Sequence, residues 1–171
     1  MDEKVKPEVK TPKSISDLKL DPQNANLGNE RGREMIAASL KRFGAGRSIL
    51  LDKHGTVIAG NKTVEQARAA GIKKLIVVKS DGSSVVAVQR TDLDLTVDGT
   101  ARALAVADNR TAEVDLTWDP SVLDQLRTTD PEAMAGLFTD EEIKELVAQT
   151  EREAEPSDVD AASLVEQVLS M

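Results

Sequence analysis

Apolar residues recur at helical spacing after a polar beginning: Met35, Ile36, Leu40 and Phe43, with Ser39 on the same stripe, predict a helix that starts at Glu30 and stops at Gly44. The pattern then shortens. Residues 48–51 and 56–59 are β-prone apolar runs joined by Asp52-Lys53-His54-Gly55, a good hairpin connection. Thr63-Val64-Glu65-Gln66 fits a capping box, and Gly71 stands where the helix it opens should end. Residues 75–79 and 84–89 predict another pair of strands across Ser80-Asp81-Gly82-Ser83, with alternation weak enough to imply cover on both faces. Residues 91–99 read as a polar loop and 100–109 as a helix with Ala103, Leu104 and Ala107 as a small-residue face.

The flanks are simpler. Residues 1–13 mix lysine, glutamate and proline and read as a disordered arm. Residues 16–20 form a short strand or turn, and 21–29 form a loop by their density of Pro, Asn and Gly. Asp119-Pro120 opens a short helix to Leu126, and Thr139-Asp140-Glu141-Glu142 is a second capping box, starting a helix to about Gln149. Residues 151–160 read as a linker; 161–169 carry a stripe of Leu164, Val165, Val168 and Leu169 that suits a final helix or a partner-docking segment. The organisation expected is an α/β (α+β) domain over 14–127, a helical appendage over 128–150 and an acidic tail over 151–171.

Composition narrows this picture. At 171 residues the chain can bury a core without disulfides, and it has no cysteine, which removes disulfides, thiolate metal sites and a cysteine nucleophile. No apolar run approaches the ~20 residues of a membrane helix, and the charged N-terminus lacks a secretory apolar segment, so a cytoplasmic protein without membrane contact is expected. The net charge of −8 lies entirely in residues 139–171, which hold ten acidic and two basic side chains. The rest is neutral overall, and locally basic between Glu30 and Lys62 through Arg31, Arg33, Lys41, Arg42, Arg47, Lys53 and Lys62, a patch suited to phosphates or to a solvated helix face.

Three segments carry candidate chemistry. Gly60-Asn61-Lys62-Thr63 lies between a strand and a helix start, where unpaired N–H groups, the helix dipole and a lysine would favour an anion, although the spacing is not that of a Walker A loop. Gly44-Ala45-Gly46-Arg47-Ser48 places two glycines before an arginine at the mouth of a strand; a helix C-cap accounts for Gly44, and close approach of a ligand is one reason for Gly46. Asp108-Asn109-Arg110, at a predicted helix end, offers a carboxylate, an amide and a guanidinium suited to hydrated Mg²⁺ and a phosphate, or else a C-cap with Arg110 paired to Glu113. His54 reads as an exposed turn residue and Trp118 as an anchor for the C-terminal helices. With two phenylalanines and no tyrosine there is no aromatic platform for single-stranded nucleic acid.

Together these segments resemble the ParB/sulfiredoxin superfamily, and within it the stand-alone ParB-like nuclease domain proteins, often phage- or mobile-element-encoded. The resemblance spans about Ile15 to Leu126 and is carried by Asp21-Pro22-Gln23-Asn24, the run LLDKHGTVIAGNKTVEQARAAGI and the run ARALAVADNRTAEVDLTWD. It implies a small mixed sheet with flanking helices that binds a nucleoside triphosphate, CTP or ATP, with Mg²⁺. The family's phosphate loop corresponds to Gly60, Asn61, Lys62 and Thr63, where Lys62 and Thr63 stand in place of the family's arginines. Loop 44–48, with Gly44, Gly46, Arg47 and Ser48, would lie against the nucleotide; Arg110 would reach phosphate, and Asp108 and Asn109 would hold the metal.

Sulfiredoxin chemistry needs a cysteine in the phosphate loop, which this chain lacks, and residues 127–171 leave no room for the helix-turn-helix domain and dimerising tail of a full partition protein. The function implied is a nucleotide-binding domain serving a DNA transaction such as DNA modification, partition-like clamping or phage replication. DNA or a DNA-bound protein is the implied partner, with a homodimer open. Two enzyme classes stay open beside plain binding: CTPase-like hydrolysis and metal-dependent DNA cleavage, the latter drawing on Asp108, Glu113 and Asp115. A third alternative is a non-enzymatic adaptor docking a DNA-modifying partner through its tail. No catalytic residue is assignable.

Overall fold

A computed structural model describes residues 11–154. It contains helices α1 (Glu30–Phe43), α2 (Asn61–Ala69), α3 (Gly99–Val114), α4 (Pro120–Thr129), α5 (Pro131–Met134) and α6 (Asp140–Ala154), with strands β1 (Leu50–Leu51) and β2 (Val57–Ala59). This is an α+β chain whose described sheet is a single antiparallel pair. Of the expected arm at 1–13, residues 1–10 lie outside the described residues, as does the expected tail helix at 161–169. Two compact units divide at Thr117/Trp118, so the helix after Asp119-Pro120, expected inside the larger domain, belongs to the second unit.

In the first unit, α1 has the bounds its periodicity predicts. Asn29 caps it, accepting the Gly32 N–H at 2.8 Å, and Gly44 ends it with φ of 74°. The Asn29 amide also donates to the Val114 carbonyl at the end of α3, so one side chain ties two helix termini together. The hairpin forms as expected: Asp52 Oδ1 accepts the N–H groups of His54 and Thr56 at 2.8 and 2.7 Å, and Gly55 takes φ of 82°. Leu50 pairs with Ala59 and Leu51 with Val57, with a bulge between the two leucines.

The core sits under this hairpin. Val57 is 0% exposed and packs with Val64 and Ala67 of α2, with Ile15 of a 3₁₀ turn (Ile15–Asp17) and with Leu18, which caps that turn. Residues around Lys19 run beside β2, with Val57 N–H on the Lys19 carbonyl at 2.8 Å and Lys19 N–H on the Gly55 carbonyl at 3.0 Å. Arg68 of α2 donates to the Ile15 and Leu18 carbonyls at 3.2 and 2.6 Å, fixing this N-terminal segment to the helix. α1 packs against both α2 and α3.

Three expectations are corrected here. α2 starts at Asn61, not at a Thr63 capping box; its N-cap is Gly60 at φ of 99°, with no side-chain cap, while Gly71 ends it at φ of 74° as expected. Gly60 is needed because a β-carbon there would stand 2.6 Å from Ile49 Cγ2. Residues 75–79 and 84–89 are not strands: Leu75 packs on the core, but among the described residues no ladder partner lies beside these runs, and Val85 is 96% exposed. Strand propensity expresses fit to a pleated surface, and without a neighbouring strand it has nothing to act on. Finally, α3 continues to Val114, which puts Asp108-Asn109-Arg110 inside the helix and not at its end.

The second unit holds α4, α5 and α6. Asp119 caps α4 through the Ser121 and Val122 N–H groups, and α4 runs to Thr129, past the expected Leu126. The Thr139 capping box is present, with Thr139 N–H on Glu142 Oε2 at 2.7 Å and Glu142 N–H on Thr139 Oγ1 at 3.2 Å. Leu123 and Ile143 are buried where α4 and α6 meet. Trp118 anchors this unit edge-on to Phe138, centroids 5.2 Å apart and planes at 87°.

Candidate functional site

Loop 44–48 leaves α1 and brings Arg47 across to α3. The Arg47 Nε–H donates to Asp108 Oδ1, and Nη2 donates to the Asp108 backbone carbonyl at 3.1 Å. Residues 61 positions apart, from two of the three predicted segments, are thereby joined. Asp108 can reach the loop because it lies on the same helical face as Leu104 and Thr111, at i−4 and i+3. Arg110 is about 200° around the helix from Asp108 at ~100° per residue. It pairs instead with Glu113 at 2.6 Å on an open surface beside Glu30, Arg31 and Glu34. Asn109 is exposed between them.

Behind the Arg47–Asp108 pair is a small cavity of about 30 Å³, bounded by Gly44, Gly46 and Thr63 together with Ile36 and Leu40. That is room for one water and no larger ligand. In front of the pair opens a cleft of about 740 Å³. It is lined by Gly46, Arg47 and Ser48 of the loop, by Val86, Val88, Leu93 and Leu95 from the segment before α3, and by Ala101, Leu104 and Ala105 from α3 itself. Its volume lies within the roughly 300–1,000 Å³ of small-molecule sites.

Arg90 also lines this cleft, and sequence reasoning passed it over because it fell between an expected strand and a polar loop. Its Nε and Nη2 donate to the two carboxylate oxygens of Asp92 at 2.7 and 2.6 Å, while its Nη1 is buried without a hydrogen-bond partner. The Arg-x-Asp spacing was the available signal. A β-carbon on Gly46 would stand 3.6 Å from that Nη1 and 3.6 Å from Leu104, so Gly46 brings bare backbone to the guanidinium.

The loop after β2 is used differently from the expectation. Asn61 is buried, and its Oδ1 accepts the Asp21 N–H at 2.9 Å, securing the Asp-Pro-Gln-Asn loop. Lys62 Nζ contacts the two Glu65 carboxylate oxygens at 3.1 and 3.4 Å. Of the four residues of this loop only Thr63 borders the small cavity, and none borders the large cleft.

Lys62 also approaches Asp115, a residue the sequence noted only as a candidate carboxylate. Asp115 is 7% exposed and its Oδ1 has no partner. Burial pushes its carboxyl above the usual carboxylate range, against the opposing pull of the Asn29 N–H and the cations of Lys62 and Arg33. Gly28 and Gly32 make room for it: a β-carbon on Gly32 would come within 2.6 Å of the Asp115 Cα. The glycine inside α1 was the signal for this close approach.

Among the described residues no group of three or more His, Cys, Asp or Glu side chains converges as a metal site. Comparison of the chain with protein-family models, curated proteins and solved structures found no match.

Proposed function

We propose that the cleft between loop 44–48, residues 86–95 and α3 binds a nucleotide, and that the first unit is a ParB-like nucleotide-binding domain serving a DNA transaction. The observation that carries this reading is the make-up of the cleft: about 740 Å³, lined by two arginines and a serine together with aliphatic side chains. Arginine is the side chain best matched to phosphate oxygens, and a base presents flat apolar faces. Ser48 adds a hydroxyl to the lining.

Mg²⁺ commonly keeps several waters and takes one or two carboxylates plus substrate phosphates. Asp108 is the one carboxylate lining the cleft, so the metal would arrive with the nucleotide and share Asp108 with Arg47. The exposed Arg31, Arg33, Lys41 and Arg42 along α1 are the cations available to DNA phosphates. Nothing among the described residues favours cleavage: Asp108 is tied to Arg47, Glu113 to Arg110, and Asp115 is buried beside Lys62. The adaptor alternative rests on the tail, outside the described residues.

Isothermal titration of the full chain with CTP, ATP and GTP in the presence of Mg²⁺ tests the reading. Saturable binding of at least one, weakened by Arg47→Gln, is expected. A folded chain that binds none of them at millimolar concentration overturns it.

A further inference from the structure

We infer that residues 84–90 are a strand without its ladder and that a second copy of this chain supplies it, the two segments pairing antiparallel about a two-fold axis at Ala87. Side chains alternate along this segment: Val86, Val88 and Arg90 line the cleft, whereas Val85, Ala87 and Gln89 between them do not. A period of two is that of a strand, whose successive side chains point to opposite faces. Val85, on the second face, is 96% exposed. Yet among the described residues no backbone N–H or carbonyl of 84–90 has a hydrogen-bond partner. A strand-shaped run with bare edges is a template for another strand, and proteins ordinarily blunt such edges with lysine, proline or other charge. From Gly82 to Gln89 the chain has none of these. Ile76 and Val78 nearby are also mostly exposed, so the apolar surface around the bare strand is of the kind that marks an interface.

A copy of the same segment fits this edge. When a two-fold axis relates two antiparallel strands, one residue faces its own image and its neighbours face each other reciprocally. With Ala87 on the axis the whole of 84–90 overlaps: Val86 faces Val88 of the second copy, Val85 faces Gln89, and Ser84 faces Arg90. Two valine pairs result, a residue type that suits a pleated surface, and the small Ala87 lies where the chains cross the axis. Arg90 is the only charge in the overlap and meets a serine, so no like charges oppose; a parallel copy in register would set Arg90 against Arg90. Both copies use the same surface, so the contact closes at two chains. No ligand in the cleft is required for it.

Sedimentation velocity of the full chain over a range of concentrations, without nucleotide, should show the mass rising to twice that of the monomer and stopping there. Ala87→Lys and Ala87→Glu each set like charges face to face on the axis and should weaken self-association by about fivefold or more, while their equimolar mixture should dimerise because opposite charges then meet. Ala87 is exposed, so the urea midpoint of the monomer should not move, which separates loss of the dimer from loss of the fold. The chain has no cysteine, so Ala87→Cys introduces the sole thiol; it should cross-link to its own copy on mild oxidation, and Lys53→Cys in the hairpin turn should not. A wild type that stays monomeric at millimolar concentration overturns the inference, as does a dimer that survives both charge variants. Equal cross-linking at both positions, or a mixture that stays monomeric, refutes Ala87 on the axis, and a mass that grows past two chains refutes two-fold closure. Each of these outcomes is read apart from nucleotide binding and leaves that reading to its own titration.

Discussion

Gly32→Ala puts the close crossing of α1 and the end of α3 to a quantitative test, because two effects predict opposite signs. On helix propensity alone, alanine should stabilise α1 by about 0.8–1.0 kcal/mol. The structure opposes this: the added β-carbon would stand 2.6 Å from both Cα and Cβ of Asp115. Carbon atoms pack best at about 3.5–4.0 Å, so the helices would have to separate by roughly 1 Å. The obstructing atoms include backbone and cannot rotate aside. Separation also pulls on Asn29, which caps α1 through Gly32 N–H and holds the Val114 carbonyl. Overpacking of this kind costs about 1–3 kcal/mol, and backbone contact places Gly32 at the upper end, leaving a net loss of about 2 kcal/mol after the propensity gain. With a urea m-value of about 2 kcal/mol/M, the midpoint should fall by about 1 M at unchanged m. Far-UV circular dichroism of urea titrations reads it directly. Gly71→Ala is the comparison: it has the same chemistry at φ of 74° with open space around it, and should lose about 1–2 kcal/mol from backbone strain alone. A midpoint for Gly32→Ala at or above wild type would refute the close crossing.

Asp115→Asn should raise stability at neutral pH. Because burial lifts the folded carboxyl's pKa above its unfolded value, the native state binds the proton more tightly, and wild-type stability falls as pH rises from the unfolded pKa to the folded one. The asparagine variant should lack that slope and converge on wild type in acid; urea midpoints across the acid range read this, and a variant less stable at every pH would show that the carboxylate is needed. Gly60→Ala should lose roughly 2 kcal/mol or more, combining the left-handed backbone at φ of 99° with the clash on Ile49, and thermal melting should show it before any loss of ligand binding is interpreted. Thr139→Ala should cost about 1 kcal/mol by removing the hydroxyl that accepts the Glu142 N–H, visible as a lowered midpoint in Trp118 fluorescence; an unchanged midpoint would mean that the cap contributes nothing.

What could be read from the sequence was what short stretches decide for themselves. α1 was legible from the spacing of Met35, Ile36, Leu40 and Phe43 and from Gly44, and the hairpin from Asp52 to Gly55, because period, cap and turn chemistry are local. The cap of α2 was misplaced by three residues although Thr63-Val64-Glu65-Gln66 fits the capping pattern. Asn61 is held by the Asp21 N–H forty residues away, and Gly60 by Ile49 packed against it, which no local pattern encodes. The strands expected at 75–79 and 84–89 failed for a related reason: a strand exists only with its neighbour, and Leu75 finds the core while Val85 finds solvent. Ending α3 at Asn109 had the largest consequence for the site. Continued to Val114, the helix puts Asp108 and Arg110 on opposite faces, so one joins Arg47 and the other Glu113.

The most conspicuous cationic loop in the sequence is therefore a structural junction, and the candidate chemistry lies one layer away. Gly60 and Asn61 are accounted for by packing and by the Asp21 N–H, and Lys62 by Glu65 and Asp115. A glycine and a lysine beside a helix start promise an anion site only while their own groups are uncommitted, and here partners distant in sequence have engaged them. Arg90 sits in a segment with no motif; its neighbour Asp92 takes Nε and Nη2, and Nη1 is buried without a partner. Commitment of donors, more than residue type, governs the cleft as well: Asp108 engages Arg47 through both side chain and backbone, so a ligand must compete for it.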